Sequence, residues 1–315
     1  MIQTGGGDDV VDLTSENYDY GNVSIDGGAG KDVLWSGSGN DLVIGGGGSD
    51  ELFGGYGADL LIGGLDNDRL EGDGDVDILQ GGDGNDTLID GLSNNVFDGG
   101  AGKDDLTGGA GNELFIGGTG NDIIGTGLGA DIIAVNRGGG RDIVSGSADP
   151  GDTLSLGGGI GYEDLFLSKR GKDLVFDLGN GDRITFDDWY ASSSKSVVNL
   201  QVVAESMAAF DSAGSDPLKD DKLEQFDFAG LVERFDQSRV VSDWAVSNAL
   251  LDFHLGGSDT EALGGDLAYQ YGRNGSLAGI GSQAAQAIIA QPQFGVGAQS
   301  LQPLASLQQG TVKLA

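Results

Sequence analysis

The sequence predicts a mainly β chain in which a parallel solenoid of glycine-rich nonapeptides leads into a small antiparallel β module and then a helical C-terminal region. Three observations carry this. A nine-residue unit repeats without a slip from Gly27 to Ala134, twelve times over 108 residues, as Gly-Gly-x-Gly-x-Asp-x-apolar-x. From Asp152 the period gives way to short alternating stretches. Beyond residue 204 apolar residues recur at three- and four-residue spacing.

The repeat is cleanest at Gly81–Ile89 and Gly117–Gly125. Its eighth position is apolar in all twelve copies: Leu34, Val43, Leu52, Leu61, Leu70, Leu79, Leu88, Phe97, Leu106, Phe115, Ile124 and Ile133. The sixth is Asp in ten, with Asn95 and Glu113 the exceptions. A carboxylate and an apolar side chain two residues apart at a fixed period describe a stack with a metal site on every turn. Each unit divides into a six-residue turn and a three-residue strand. Two units make one coil with both eighth-position side chains inside, and coils stack by parallel hydrogen bonding at roughly 4.8 Å. Six coils give a block on the order of 30 Å long with a thin aliphatic core.

The flanks are ragged. Thr4–Asp12 fits one unit, with Asp9 sixth and Val11 eighth; residues 13–17 read as an insertion, and Tyr18–Asp26 keeps Ile25 in the apolar slot. After Ala134 two extra residues precede Arg137–Ser145, a last unit with Asp142 and Val144. The chain begins almost inside a repeat, which reads as the C-terminal part of something longer or a truncated relative of such proteins.

The formal net charge is −34, and residues 1–150 hold 28 acidic against 5 basic residues. That density repels nucleic-acid phosphates and anionic membranes and opposes compaction unless cations neutralise it. Disorder is the competing reading of an acidic, glycine-rich chain, but disorder has no need of an apolar residue at every ninth position. Cysteine is absent, which excludes disulfides and thiolate sites. No basic segment followed by an apolar run opens the chain, so no secretory signal peptide is expected. No stretch reaches the roughly 18 apolar residues of a spanning helix, so no stable membrane insertion is expected. No nucleophile elbow, zinc-type His pair or phosphate loop is present, and no enzyme is expected. His254, the single histidine, has Asp243 and Ser258 nearby but reads as an incidental polar residue at a helix end rather than part of a triad. Trp189 and Trp244 read as core.

The nonapeptide resembles the RTX (haemolysin-type) calcium-binding repeat, whose rule is the one quoted above. The resemblance implies a parallel β-roll over 27–151, preceded by degenerate repeats at 1–26, with calcium held between turns stacked on the same side. Calcium takes six to eight oxygen ligands in flexible geometry. The family's arrangement takes carbonyls two and four plus the sixth-position Asp from one turn. It takes carbonyls one and three plus the Asp from the turn 18 residues later. For the first pair these are Gly28, Gly30 and Asp32 with Gly45, Gly47 and Asp50.

Stacked partners being 18 residues apart, the turns sort into two columns. One carries Asp32, Asp50, Asp68, Asp86, Asp104 and Asp122 unbroken, with Asp142 beyond. Its further ligating positions fall on Gly46, Gly48, Gly63, Gly64, Gly81, Gly82, Gly84, Gly99, Gly100, Gly102 and Gly117. The other carries Asp41, Asp59, Asp77, Asn95, Glu113 and Asp131, with Gly37, Gly39, Gly54, Gly55, Gly57, Gly72 and Gly74. The Asn95–Glu113 pair has one charge fewer and a longer acid inside a worn unit, so its sites are expected to be weak, empty or occupied differently. Asp66 and Asp75 replace fourth-position glycines, but Asp tolerates left-handed backbone, so those turns are kept. Roughly 7–9 calcium ions are expected in all.

Residues 152–204 hold two alternating stretches, Asp164–Ser168 and Asp173–Leu178, and the turn Gly179-Asn180-Gly181 joins the latter to Arg183–Phe186 as a hairpin. Val197–Ala204 adds a strand. This block resembles the small β module that follows haemolysin-type repeats and would cap the open edge of the roll. Residues 205–290 are expected to be mainly helical, with Leu223, Phe226, Val232–Phe235, Trp244, Leu250 and Leu251 on helix faces and Gly256-Gly257 and Gly264-Gly265 as breaks. Residues 291–315 carry one charge, Lys313, and resemble the flexible, uncleaved C-terminal signal of type I secretion substrates. The resemblance thus implies a secreted or cell-surface protein of a Gram-negative bacterium that meets a type I exporter in transit. The alternative is an adhesin or surface-layer protein in which the roll itself mediates association.

Overall fold

A computed structural model describes residues 1–15, 18–145, 151–191, 195–310 and 312–315. From residue 33 to residue 83 the repeat strands are six residues long: Val33–Ser38, Leu42–Gly47, Glu51–Tyr56, Leu60–Leu65, Arg69–Gly74 and Ile78–Asp83. Each takes in positions seven to nine and then one to three, twice the length expected from the sequence. Backbone without Cβ atoms at the glycine pair lets the ladder run on around the corner, so Gly28 pairs with Gly46 and Gly46 with Gly64.

The register confirms two units per coil. Leu34 sits beside Leu52 and Leu52 beside Leu70 in one parallel sheet; Val43, Leu61 and Leu79 stack in the other. All twelve eighth-position side chains lie buried between the sheets in one core. Complete burial of a Leu- or Phe-sized side chain contributes about 1.5–3 kcal/mol. The flanking irregularities are read off the same ladders. Ile2 pairs with Ile25 and Val11 with Leu34, a spacing of 23 that accommodates the five inserted residues. Of those five, Glu16 and Asn17 lie outside the described residues. Ile123 pairs with Ile143, a spacing of 20 that absorbs the two extra residues after Ala134.

The sheets do not stop where the repeats end. Asp152–Leu156 continues one sheet in parallel beside Ile132–Val135, and Val197–Val202 adds a further parallel strand. Asp182–Phe186 continues the other beside Arg141–Ser145. Only then do directions reverse. Asp173–Gly179 and Phe166–Arg170 extend one sheet antiparallel, and Leu223–Asp227 and His254–Ser258 extend the other. Residue 151 is therefore no structural break: the open strand edge is satisfied by more strands rather than by a separate cap.

Leu223 and Phe226, expected on a helix, lie in the strand Leu223–Asp227, where Phe226 pairs with Leu200. The helix begins one residue later, Phe228–Ser238, capped by Asp227, whose Oδ1 accepts from the Gly230 N–H at 2.8 Å. Two further helices, Gly265–Asn274 and Ser282–Ile289, lie against the outer face of the roll. Every second unit presents an apolar seventh residue there: Leu60, Ile78, Val96, Leu114 and Ile132. These pack against Leu267, Tyr271, Ile288 and Ile289. On the opposite sheet the seventh position is polar through the middle of the roll, Glu51, Arg69, Thr87 and Asp105, with apolar Val33 and Ile123 only at its ends, so that face needs little cover. Phe294, Leu307 and Leu314 are buried in the same interface, so these parts of the segment 291–315, read from sequence as flexible, pack onto the roll. Among the described residues no helix is long and apolar enough to cross a membrane.

Candidate metal centre

The sixth-position side chains form two ladders along the turns. In the first column Asp32, Asp50, Asp68, Asp86 and Asp104 each donate their backbone N–H to the Oδ1 of the next Asp, at 2.7–3.0 Å. Asp122 continues the ladder to Asp142 at 3.1 Å, and Asp9 opens it onto Asp32 at 2.8 Å. In the second column Asp41, Asp59 and Asp77 bond onward in the same way, ending on Asn95 Oδ1 at 2.8 Å. One carboxylate oxygen per turn is thereby fixed by the backbone of the preceding coil, which aims the other.

That second oxygen has no donor. Oδ2 of Asp32, Asp41, Asp50, Asp59, Asp68, Asp77, Asp86, Asp104 and Asp122 is buried without a hydrogen-bond partner. A buried charge left this way costs several kcal/mol unless a cation or proton meets it. The surrounding glycines show where the space lies. Beside Gly63 a Cβ would stand closer than 3.0 Å to both Asp68 Oδ2 and the carbonyl oxygen of Gly81. Gly27, Gly45, Gly54, Gly81 and Gly99 repeat the arrangement with the Asp of their own turn and the first glycine of the next coil. The converging donors are hard oxygens only, one carboxylate with a carbonyl from the adjacent coil, a donor set that suits calcium.

Electrostatics agree. Burial pushes Asp50 and Asp86 up to about 6, Asp68 and Asp104 up to about 7 and Asp59 up to about 8, with neighbouring carboxylates pushing the same way, for Asp86 that of Asp83. Backbone N–H donors oppose this without cancelling it. Burial raises Asp77 still more strongly. Asp66 and Asp75 adopt the left-handed backbone expected of them, φ 73° and 75°.

The second column breaks where the sequence marks it. The strand extension into positions one to three is lost at 90–92 and 108–110, leaving isolated bridges such as Leu92 to Ala110. Both Glu113 oxygens are buried without a donor, and the point beside Gly108 is closest to the Phe115 ring rather than to a carboxylate. Phe97 and Phe115 stack at 4.9 Å in the core behind these turns. Asn94 and Asn112 in the same turns donate to the carbonyls of Ile289 and Phe294, each at 2.8 Å, tying the worn units to the helical region.

Sequence reasoning missed several members. Asp152 continues the second column, its Oδ1 accepting from Asp131 N at 3.2 Å. The signal was present, since Asp152-x-Leu154 repeats positions six and eight. Asp182 accepts from the N–H groups of Gly138 and Gly140, closing the turn after the last repeat. His254 does not assemble a triad: its Nε2 lies 2.7 Å from Glu224 Oε2, while Asp243 N–H bonds Ser168 and Ser258 Oγ accepts from Thr260 and Glu261. Trp189 is buried as expected.

Comparison with known families matches residues 19–43, 44–79, 80–112, 99–133 and 107–142 to the RTX calcium-binding nonapeptide repeat (4 copies). No curated protein matches the chain.

Proposed function

Residues 19–142 are RTX calcium-binding nonapeptide repeats, and from this premise we propose that the roll is a calcium-triggered folding module of a protein exported by a type I system. The observation that carries the reading is the file of buried carboxylate oxygens without donors, one for each regular turn. Without a cation each opposes folding; with one, each holds two coils together. At ten times its dissociation constant a site contributes about 1.4 kcal/mol, so about eight contribute on the order of 11 kcal/mol. That equals the whole stability of many domains, whereas the core between the sheets is one side chain wide. At affinities of roughly 0.1–1 mM, as in extracellular calcium modules, the chain stays unfolded inside the cell and folds outside it.

The packing of the C-terminal segment supports the same sequence of events. Phe294, Leu307 and Leu314 dock on a face that exists only once the coils have stacked. The segment is thus free in the unfolded chain and withdrawn in the folded one. On this reading the chain is a binding and folding module rather than an enzyme. Co-expression with a type I exporter tests it. The full chain should reach the medium and a chain lacking 205–315 should stay inside; equal export of both would sink the export role. Calcium-dependent self-association of the exported chain would favour the adhesive alternative.

A further inference from the structure

The turn containing Asn95 departs from its neighbours in a way that restores what the substitution removes. At the regular turns the point beside the first glycine is shared by the sixth-position Oδ2 and the carbonyl of the residue 18 positions on. At Gly72 that later residue is Asp90, where the repeat calls for glycine. Here the nearest atoms are Asp90 Oδ2 and Asp77 Oδ2, both closer than 3.0 Å to the point. The Asp90 side chain has entered the space that a backbone carbonyl faces elsewhere. It is 1% exposed; its Oδ1 accepts from Leu92 N–H at 3.0 Å, and its Oδ2 has no donor.

Asn95 explains why the site needs it. Its Oδ1 keeps the ladder by accepting from Asp77 N–H at 2.8 Å. Its Nδ2 stands where a metal-facing carboxylate oxygen would be, and donates at 2.7 Å to the carbonyl of Leu92. The amide therefore removes one charge and ties up the third-position carbonyl as well.

We propose that Asp90 replaces the lost sixth-position carboxylate, so that the Asp77 and Asn95 turns hold a calcium ion on the carboxylates of Asp77 and Asp90. The assignment rests on the calcium reading of the roll. It gives the pair two carboxylates, the number found at every regular pair, by a different route. The competing state is a proton shared between the two acids.

Calcium bound per full-length chain, measured by equilibrium dialysis at pH 7.5, decides between them. Asp90→Asn preserves size and the bond to Leu92. It should bind one ion fewer than the parent, or hold one ion at least tenfold more weakly, while circular dichroism in saturating calcium shows the roll formed. An unchanged count and affinity in Asp90→Asn, with Asp104→Asn lowering the count as a control, would overturn the proposal in favour of the shared proton. The double variant Asp90→Gly/Asn95→Asp restores the regular repeat and should bind as many ions as the parent; one ion more would mean that the parent lacks this site. A parent chain that binds no calcium would instead defeat the calcium reading itself.

Discussion

Replacing Gly46 by Ala, and separately its neighbour Gly47, isolates the close stacking of coils on which the metal sites depend. Gly46 has φ 112°, and a Cβ there would stand closer than 3.0 Å to the carbonyl oxygen and carbon of Gly28 in the adjacent coil. Gly47, one residue on, has no neighbour within 4 Å and no left-handed backbone. Left-handed strain and the forced shift of packed backbone together cost Gly46→Ala about 2–5 kcal/mol. With the proposed uptake of about eight ions on folding, and each tenfold in calcium worth about 1.4 kcal/mol per ion, that loss should raise the calcium midpoint about 1.5- to 3-fold. Gly47→Ala loses no contact and trims the entropy of the unfolded chain, so its midpoint stays within about 1.25-fold of the parent. Calcium titrations followed by far-ultraviolet circular dichroism read both. Equal midpoints for the two variants, or a larger effect at Gly47, would refute the argument that the carbonyl of one coil is held against the glycine of the next.

Other perturbations test separate links. Asp68→Asn keeps the Oδ1 acceptor but removes a charge between two adjoining coils; calcium stoichiometry by dialysis should fall by up to two ions, and an unchanged count would contradict the shared role. Burial raises Asp59, Asp68 and Asp104 in the folded, metal-free state above their unfolded values. The metal-free fold therefore favours their protonated forms, is most stable below about pH 4, and loses stability as pH rises through 7 to 8. Thermal melts of calcium-stripped chain should show more structure at pH 5 than at pH 8.5, and a flat profile would count against the burial of these acids. For the same reason calcium binding at pH 7 should release protons, seen as buffer-dependent calorimetric heats; heats independent of buffer would deny it. Ile78→Asp places a charge in the buried interface between roll and helices. Proteases should then cut within 265–315 while the calcium-induced strand signal persists, and continued resistance would show that the interface does not hold the helices.

The architecture was legible to the extent that backbone chemistry repeats. A period of nine with one apolar slot fixes which residues point inward, and the register shifts of 23 and 20 at the two ends follow from counting inserted residues. The unbroken Asp column was legible for the same reason. Strand length was not, because glycine reads locally as turn, while the ladder extends through it when an identical coil lies alongside. Leu223 and Phe226 misled because their spacing suits a helix face, whereas the open edge at Val197–Val202 recruits them as a strand. Asp90 occupies a glycine position and so carries no signal in the repeat; only the fold shows its carboxylate turning into the site that Asn95 vacates. The worn units also looked like simple decay, yet Asn94 and Asn112 bond the carbonyls of Ile289 and Phe294 in the segment that covers the roll, contacts 195 and 182 residues away in sequence and invisible to any local pattern.

On the proposed function, calcium supplies the stability the thin core lacks. Circular dichroism of the purified chain, first in excess chelator and then across a calcium titration to several millimolar, tests it most directly. The expected result is a largely unfolded spectrum in chelator and a cooperative gain of strand signal on adding calcium. A strand signal that is already complete in chelator and unmoved by calcium would contradict it.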